Sequence, residues 1–242
     1  MFKRQKVCIV VPAYKEEDHI GLVLKTMPDF VDHIIVVDDG SPDNTFERAV
    51  ENGNGKVILI RHPDNQGVGA AIVTGHRKAI ELGADFSVVM AGDGQMDPKY
   101  LGDLLGAVSE QGYDYAKGNR LKRGYMKGMP KIRVFGNIIL SFLTRVVSGY
   151  WNISDPQNGY TAIRTSILRK LDLDRLARGY QFENDMLVHL NIVNARVKDV
   201  NIPATYFGKV SKIRLPRFVA ETSLFFIKRF FYRIYKKRVS GY

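Results

Sequence analysis

Four short apolar runs, each cut off by a polar or small-residue turn, constrain this chain more than any other feature. They are residues 7–11, 33–37, 57–60 and 86–90, all rich in Val and Ile. Between them lie helical stretches. Glu16-Glu17-Asp18 loads acid onto the start of one that carries Ile20, Leu22, Val23 and Leu24, as a helix dipole favours. Ser41-Pro42-Asp43 reads as an N-cap followed by Pro at the first helical position, opening a helix to about Asn52. Asn65-Gln66-Gly67-Val68-Gly69-Ala70-Ala71 starts a third helix with glycines, which let the backbone approach a neighbour or a ligand closely. Strands alternating with helices in this way specify an α/β fold, a mostly parallel sheet covered by helices. Ligands of such sheets sit beyond the carboxyl ends of the strands. Residues 12–16, 38–41 and 93–97 all fall there and mark the expected ligand site.

The fourth run ends in Met90-Ala91-Gly92-Asp93-Gly94-Gln95-Met96-Asp97-Pro98. Oxygen-bearing side chains at alternating positions after a buried strand suit a divalent cation and the phosphates it binds. Mg²⁺ typically takes one or two protein carboxylates and fills its shell with water and phosphate oxygens. The plainer reading of Asp97-Pro98 is a helix start, with a helix over 97–109. The chain has neither a Gly-x-Gly-x-x-Gly nor a Gly-x-x-x-x-Gly-Lys-Ser/Thr sequence, which argues against NAD binding and P-loop phosphoryl transfer.

The second half is less regular. A strand is expected over 113–117, an apolar helix over 134–147, a polar turn over 154–160, a helix opening at Phe182 and a strand over 197–202. The net charge of +11 is uneven: residues 115–154 carry +8 with no acid, residues 209–242 carry +9, and the rest carries −6. In the first basic segment, Arg120, Lys122, Arg123, Lys127, Lys131 and Arg133 are interleaved with glycines and Pro130, the composition of a mobile lid. The tail, 214–238, interleaves basic residues with Phe218, Phe225, Phe226, Phe230, Phe231 and Ile234. It is too charged to span a membrane. It fits a helix lying in a membrane interface, a binder of single-stranded nucleic acid, or a helix docked on the core. No run approaches the ~20 apolar residues of a membrane span. The single Cys8 rules out a disulfide framework and points to a reducing compartment.

The ordered motifs Val10-Val11-Pro12-Ala13-Tyr14-Lys15-Glu16-Glu17, Val36-Val37-Asp38-Asp39-Gly40-Ser41, Asn65-Gln66-Gly67-Val68-Gly69-Ala70 and Met90-Ala91-Gly92-Asp93-Gly94-Gln95 resemble family 2 glycosyltransferases of the GT-A fold. Gly118-Asn119-Arg120, Asp155-Pro156-Gln157-Asn158-Gly159-Tyr160 and Phe182-Glu183-Asn184-Asp185 are similar to the dolichyl- or polyprenyl-phosphate mannose or glucose synthase branch. The resemblance covers about residues 7–213. It implies a GT-A domain over 1–213 followed by an amphipathic helix over 214–242.

It also implies inverting transfer of a sugar from a nucleotide-sugar, UDP- favoured over GDP-, to a polyprenyl phosphate, with transfer to a glycan hydroxyl as the alternative and a nucleotide- or RNA-binding module without turnover as the remote one. The protein would work peripherally at the cytoplasmic face of a membrane, with no nucleic-acid partner and with homo-oligomerisation left open. Pro12, Ala13, Tyr14, Glu16, Asp38, Asp39 and Gly67 would serve the donor. Asp93 and Gln95 would hold Mg²⁺ or Mn²⁺. Arg120, Arg133, Asn137, Gln157 and Lys212 would serve the acceptor, and Glu183 and Asp185 would act as base or orient the sugar. The chain departs from the resemblance at Ala91, where many relatives carry the first acid of an Asp-x-Asp pair. That puts the strict need for metal in question and leaves Asp97 as a substitute ligand.

Overall fold

The computed structural model describes residues 1–121, 131–203 and 215–239. Its centre is a seven-stranded sheet in the order β3-β2-β1-β4-β6-β5-β7. The strands are β1 (Val7–Ala13), β2 (His33–Asp38), β3 (Val57–Arg61), β4 (Phe86–Val89), β5 (Tyr115–Asn119), β6 (Thr161–Arg164) and β7 (Val197–Asn201). β1 to β4 pair in parallel, as do β5 and β7. β6 alone runs the other way, antiparallel to both β4 and β5. The sheet is therefore mostly parallel, as the alternating runs require.

The helices are α1 (Ile20–Lys25), α2 (Thr45–Asn52), α3 (Val68–Glu81), α4 (Leu101–Ser109), α5 (Lys131–Ser148), α6 (Thr165–Leu168), α7 (Phe182–Ile192) and α8 (Leu215–Val239). β1 is buried throughout, and its side chains alternate between the two layers as a period of two dictates. Val7, Ile9 and Val11 meet Ile20, Val23 and Leu24 of α1 and Leu101 and Leu104 of α4. Cys8 faces Ala71 and Ala79 of α3, and Val10 packs with Ile72 of the same helix. α3 lies so close that a Cβ on Gly75 would stand 2.2 Å from Val10 Cγ1.

Two expectations shift. α2 starts at Thr45 rather than after Ser41. Ser41 is engaged across the sheet edge, where its Oγ accepts from Lys15 N at 3.1 Å. Asp43 instead accepts from the Thr45 backbone N and hydroxyl. The expected helix over 97–109 is a 3₁₀ turn, Pro98–Tyr100, running into α4. The lid expected between Arg120 and Arg133 falls mainly on residues outside the described set. The same holds for Lys212 and for the side chains of Arg133 and Asn137 on α5.

α8 has two faces. Phe226 packs with Val147 of α5 and Val188 of α7, flanked by Phe225, Phe230 and Tyr232. Polar hooks reinforce the contact: Arg233 donates to Asn191 Oδ1 and Val146 O, and Lys237 to Asn194 Oδ1 at 2.8 Å. Leu224, Ile227, Phe231 and Ile234 recur at helical spacing on the opposite face and are exposed. No helix among the described residues is long and apolar enough to cross a membrane.

Candidate active site

The reversal of β6 organises the site. The turn entering β6, residues 154–160, arrives at the edge where β1, β2, β4 and β5 end. The edge is knitted by backbone bonds: Asp39 N donates to Ala13 O at 2.9 Å, Gly92 N to Pro12 O at 3.1 Å and Gly118 N to Tyr160 O at 2.9 Å. Pro12 and Ala13 are buried in this seam, whereas Tyr14 is exposed beside it. Glu16 N donates to Thr45 Oγ1 at 2.8 Å, which ties the loop after β1 to α2.

Asp38 and Asp39 are both buried and serve the frame. Asp38 Oδ1 accepts from Ser41 N, and Oδ2 lies 3.1 Å from Arg61 Nε. Asp39 Oδ1 accepts from Gln66 N at 3.0 Å and lies 2.7 Å from His62 Nδ1, while Oδ2 accepts from Gly67 N at 2.9 Å. The neighbour that the glycines of α3 admit is protein: Gly69 N donates to Arg178 O at 2.7 Å. A Cβ on Gly67, whose φ is +98°, would stand 2.4 Å from Arg178 O.

In the turn after β4, Asp93 Oδ1 accepts from Gln95 N at 3.0 Å. Among the described residues no hydrogen bond is made to Asp93 Oδ2, and the turn faces partial solvent. Asp97, the weaker candidate ligand, is engaged as a cap. Its Oδ1 accepts from Lys99 N at 3.0 Å and its Oδ2 pairs with Lys99 Nζ at 2.6 Å, the work of a helix cap. Among the described residues no three His, Cys, Asp or Glu side chains cluster as a metal cage. One carboxylate and one amide oxygen still fit a hard cation whose remaining ligands are diphosphate oxygens and water.

Glu183 comes to the same turn. A Cβ on Gly159 would lie 3.3 Å from Met96 Cε and 3.6 Å from Glu183 Oε1. Asp185, two residues on, is placed elsewhere. It is fully buried, accepts from Ala177 N at 2.8 Å and pairs with Arg229 of α8 at 2.7 Å. Burial pushes its carboxyl up to about 6, against the pull of Arg229 and of the Ala177 N–H. Gln157 donates to Asn184 Oδ1 at 2.7 Å, linking the turn before β6 to α7.

Two charged residues that the sequence reading did not single out hold the others. Asp155, fully buried, accepts from Arg120 Nε at 2.7 Å, from its NH2 at 3.1 Å and from its backbone N at 3.0 Å. Such forked pairing fixes a guanidinium's plane. Lys117, also fully buried, donates to Asn158 O and to Glu183 Oε2, the latter at 2.8 Å. The acid-free segment ends one residue short of Asp155, so the composition of that segment gives no sign of the first pairing.

The family model for "Glycosyl transferase family 2" matches residues 8–172. The chain belongs to glycosyl transferase family 2. Among relatives of this family it is 34% identical over 216 residues to the UDP-N-acetylglucosamine–dolichyl-phosphate N-acetylglucosaminyltransferase of Methanococcus voltae, covering 83% of this chain and 86% of that one. It is 32% identical over 209 residues to the undecaprenyl-phosphate mannosyltransferase of Micrococcus luteus, covering 83% of each. The glucosyl-3-phosphoglycerate synthase of Mycobacterium tuberculosis, solved with Mn²⁺ and UDP-glucose, superposes with a TM-score of 0.70 at 21% identity over 94% of this chain and 79% of that one. The fold is thus GT-A, and the family 2 protein is a glycosyltransferase.

Proposed function

We propose that this glycosyltransferase moves a sugar, with inversion, from a UDP-sugar to a polyprenyl phosphate at a membrane surface. The observation that carries the reading is that Met96, in the turn of Asp93 and Gln95, and Glu183 of α7 both come within 4 Å of a Cβ position on Gly159, with Arg120 held in a fork at the end of β5. The two relatives are named for dolichyl-phosphate and undecaprenyl-phosphate acceptors, and the first of them supports a UDP-sugar donor.

In the reaction a phosphate oxygen of the acceptor attacks the anomeric carbon. The bond from that carbon to the donor diphosphate breaks, and the nucleoside diphosphate leaves with the electron pair. Asp93 and Gln95 would hold Mg²⁺ or Mn²⁺, which supplies charge neutralisation for the leaving diphosphate. Arg120, its guanidinium plane fixed by Asp155, would lie near the acceptor phosphate at the end of β5. A phosphate monoester has a second pKa near ~6, so at neutral pH it attacks as an anion and needs positioning more than a base. That agrees with a site whose carboxylate, Glu183, already has one oxygen occupied by Lys117.

The lipid part of the acceptor is met by the exposed apolar faces of α5 and α8. Ile138, Ile139, Phe142 and Leu143 line the first, and Ile227 and Phe231 the second. Lys228, Lys236 and Arg238 add positive charge along α8, as a helix resting on anionic headgroups requires.

The test offers labelled UDP-glucose, UDP-N-acetylglucosamine and GDP-mannose with a polyprenyl phosphate, with and without Mn²⁺. Label entering the lipid phase from a UDP-sugar is expected. Label appearing only on a soluble glycan overturns the acceptor, and lipid label from GDP-mannose alone overturns the donor. Membrane contact has its own check. Ile227→Asp with Phe231→Asp should weaken binding to anionic vesicles by at least about tenfold, since burying one such side chain contributes ~1.5–3 kcal/mol. Unchanged co-sedimentation would remove α8 from the contact.

A further inference from the structure

We infer that Lys117 is a positioning residue for sugar transfer, setting which oxygen of Glu183 meets the substrate; the inference rests on the function proposed above. Lys117 lies mid-strand in β5, paired with Thr161 of β6 and Asp199 of β7. Its side chain is 0% exposed, so it touches neither solvent nor ligand. Any effect it has on the reaction passes through its two partners, Asn158 O and Glu183 Oε2.

Both partners belong to the site. Asn158 stands in the turn that the reversed β6 brings to the sheet edge, and its own Oδ1 accepts from Tyr160 N at 3.0 Å. Glu183 opens α7 and is 14% exposed. One ammonium thus ties the turn before β6 to the first turn of α7. A desolvated lysine costs several kcal/mol unless it is paired and hydrogen-bonded.

What the charge provides is direction. With Oε2 taken by Lys117, Oε1 is the atom left beside Gly159, which Met96 also approaches. Glu183 then serves as a hydrogen-bond acceptor of fixed orientation for a hydroxyl of the transferred sugar. It does not act as a free base, which is the role a phosphate acceptor leaves vacant.

The experiment is a double-mutant cycle with Lys117→Met, Glu183→Gln and the pair combined, read as kcat and as the donor KM. Lys117→Met is expected to lower kcat about 10²-fold, the size of effect seen when a reacting group is misplaced by ~1 Å, with the donor KM within about threefold. In the Glu183→Gln background the same substitution should lower kcat by no more than about twofold, because the group it acts through is already lost. Equal losses in both backgrounds would mean a merely structural role, and a Lys117→Met enzyme with half the parent turnover would overturn the inference outright.

If Lys117→Met fails to fold, the combined variant carries the test, since Gln at position 183 leaves no unpaired carboxylate behind. It should match Glu183→Gln alone, and a further loss of turnover counts against the inference. A crystal structure of Lys117→Met or Lys117→Gln decides without any turnover. Glu183 Oε1 displaced from its place beside Gly159 supports the role, and an unmoved carboxylate refutes it. If the parent protein transfers no sugar to lipid from any donor, the proposed function fails while the crystallographic outcome still stands.

Discussion

Asp93→Asn lowers kcat for sugar transfer by about 10²–10³-fold, the loss typical when one group stabilising developing charge is removed. The substitution is chosen to leave the turn intact. An Asn Oδ1 still accepts from Gln95 N, as Asp93 Oδ1 does at 3.0 Å. What disappears is the negative charge at Oδ2, the oxygen that under the proposed function would face the cation and the donor diphosphate. The melting temperature should therefore stay within a few degrees while turnover collapses, and raising Mn²⁺ should recover part of the loss. Because Ala91 withholds a second acid, the proposed function rests the charge of that turn on Asp93, and the effect should be large. Turnover above about a tenth of the parent would show that the diphosphate is stabilised by other groups.

The second large effect is on stability. Arg229 of α8 donates to Asp185 Oδ2 and to Arg175 O, each at 2.7 Å, and lies over the rings of Phe225 and Tyr232. Arg229→Met leaves a fully buried carboxylate without its partner, which costs about 3–5 kcal/mol. For a chain of this size each kcal/mol moves the melting temperature by about 2–4 °C, so a drop on the order of 10 °C is expected. The deficit should depend on pH. Burial already raises Asp185 to about 6, above its unfolded value, so the folded state holds the extra proton. Its contribution to stability is full at low pH and is lost as pH rises through that value. Without Arg229 the carboxyl rises further, so the variant should melt closest to the parent near pH 5 and furthest from it near pH 8. Adding Asp185→Asn should restore part of the loss at pH 8. Melting curves parallel across that range would show that Arg229 matters only for packing.

Much of the sheet was legible because each parallel strand is a short, continuous apolar run ended by a turn, and burial on both faces demands that composition. The side-chain assignments were harder because they depend on partners far away in the chain. Ser41 has the look of a helix cap, but its hydroxyl is claimed by Lys15 N at 3.1 Å. Asp97 reads as a ligand or a cap, and the capping contacts are seen only once Lys99 is placed beside it. Glu183 and Asp185 read as a pair, yet residues i and i+2 of a helix do not share a face. One accordingly meets the sheet edge and the other α8. That division was available from the spacing alone. The roles of Lys117 and Asp155 were not, because each acts on a residue brought to it by the reversal of β6.

The tail has a mechanical consequence. Apolar contact is the kind of attachment that a lipid surface competes for, but α8 is also pinned by Arg229, Arg233 and Lys237 to Asp185, Asn191 and Asn194. These anchors leave the outer row of Leu224, Ile227, Phe231 and Ile234 unengaged. A surface that accepts that row receives the whole molecule at one tilt, because the helix cannot swivel without breaking its anchors. The angle at which the catalytic edge meets the acceptor is then set by the length and aim of three side chains.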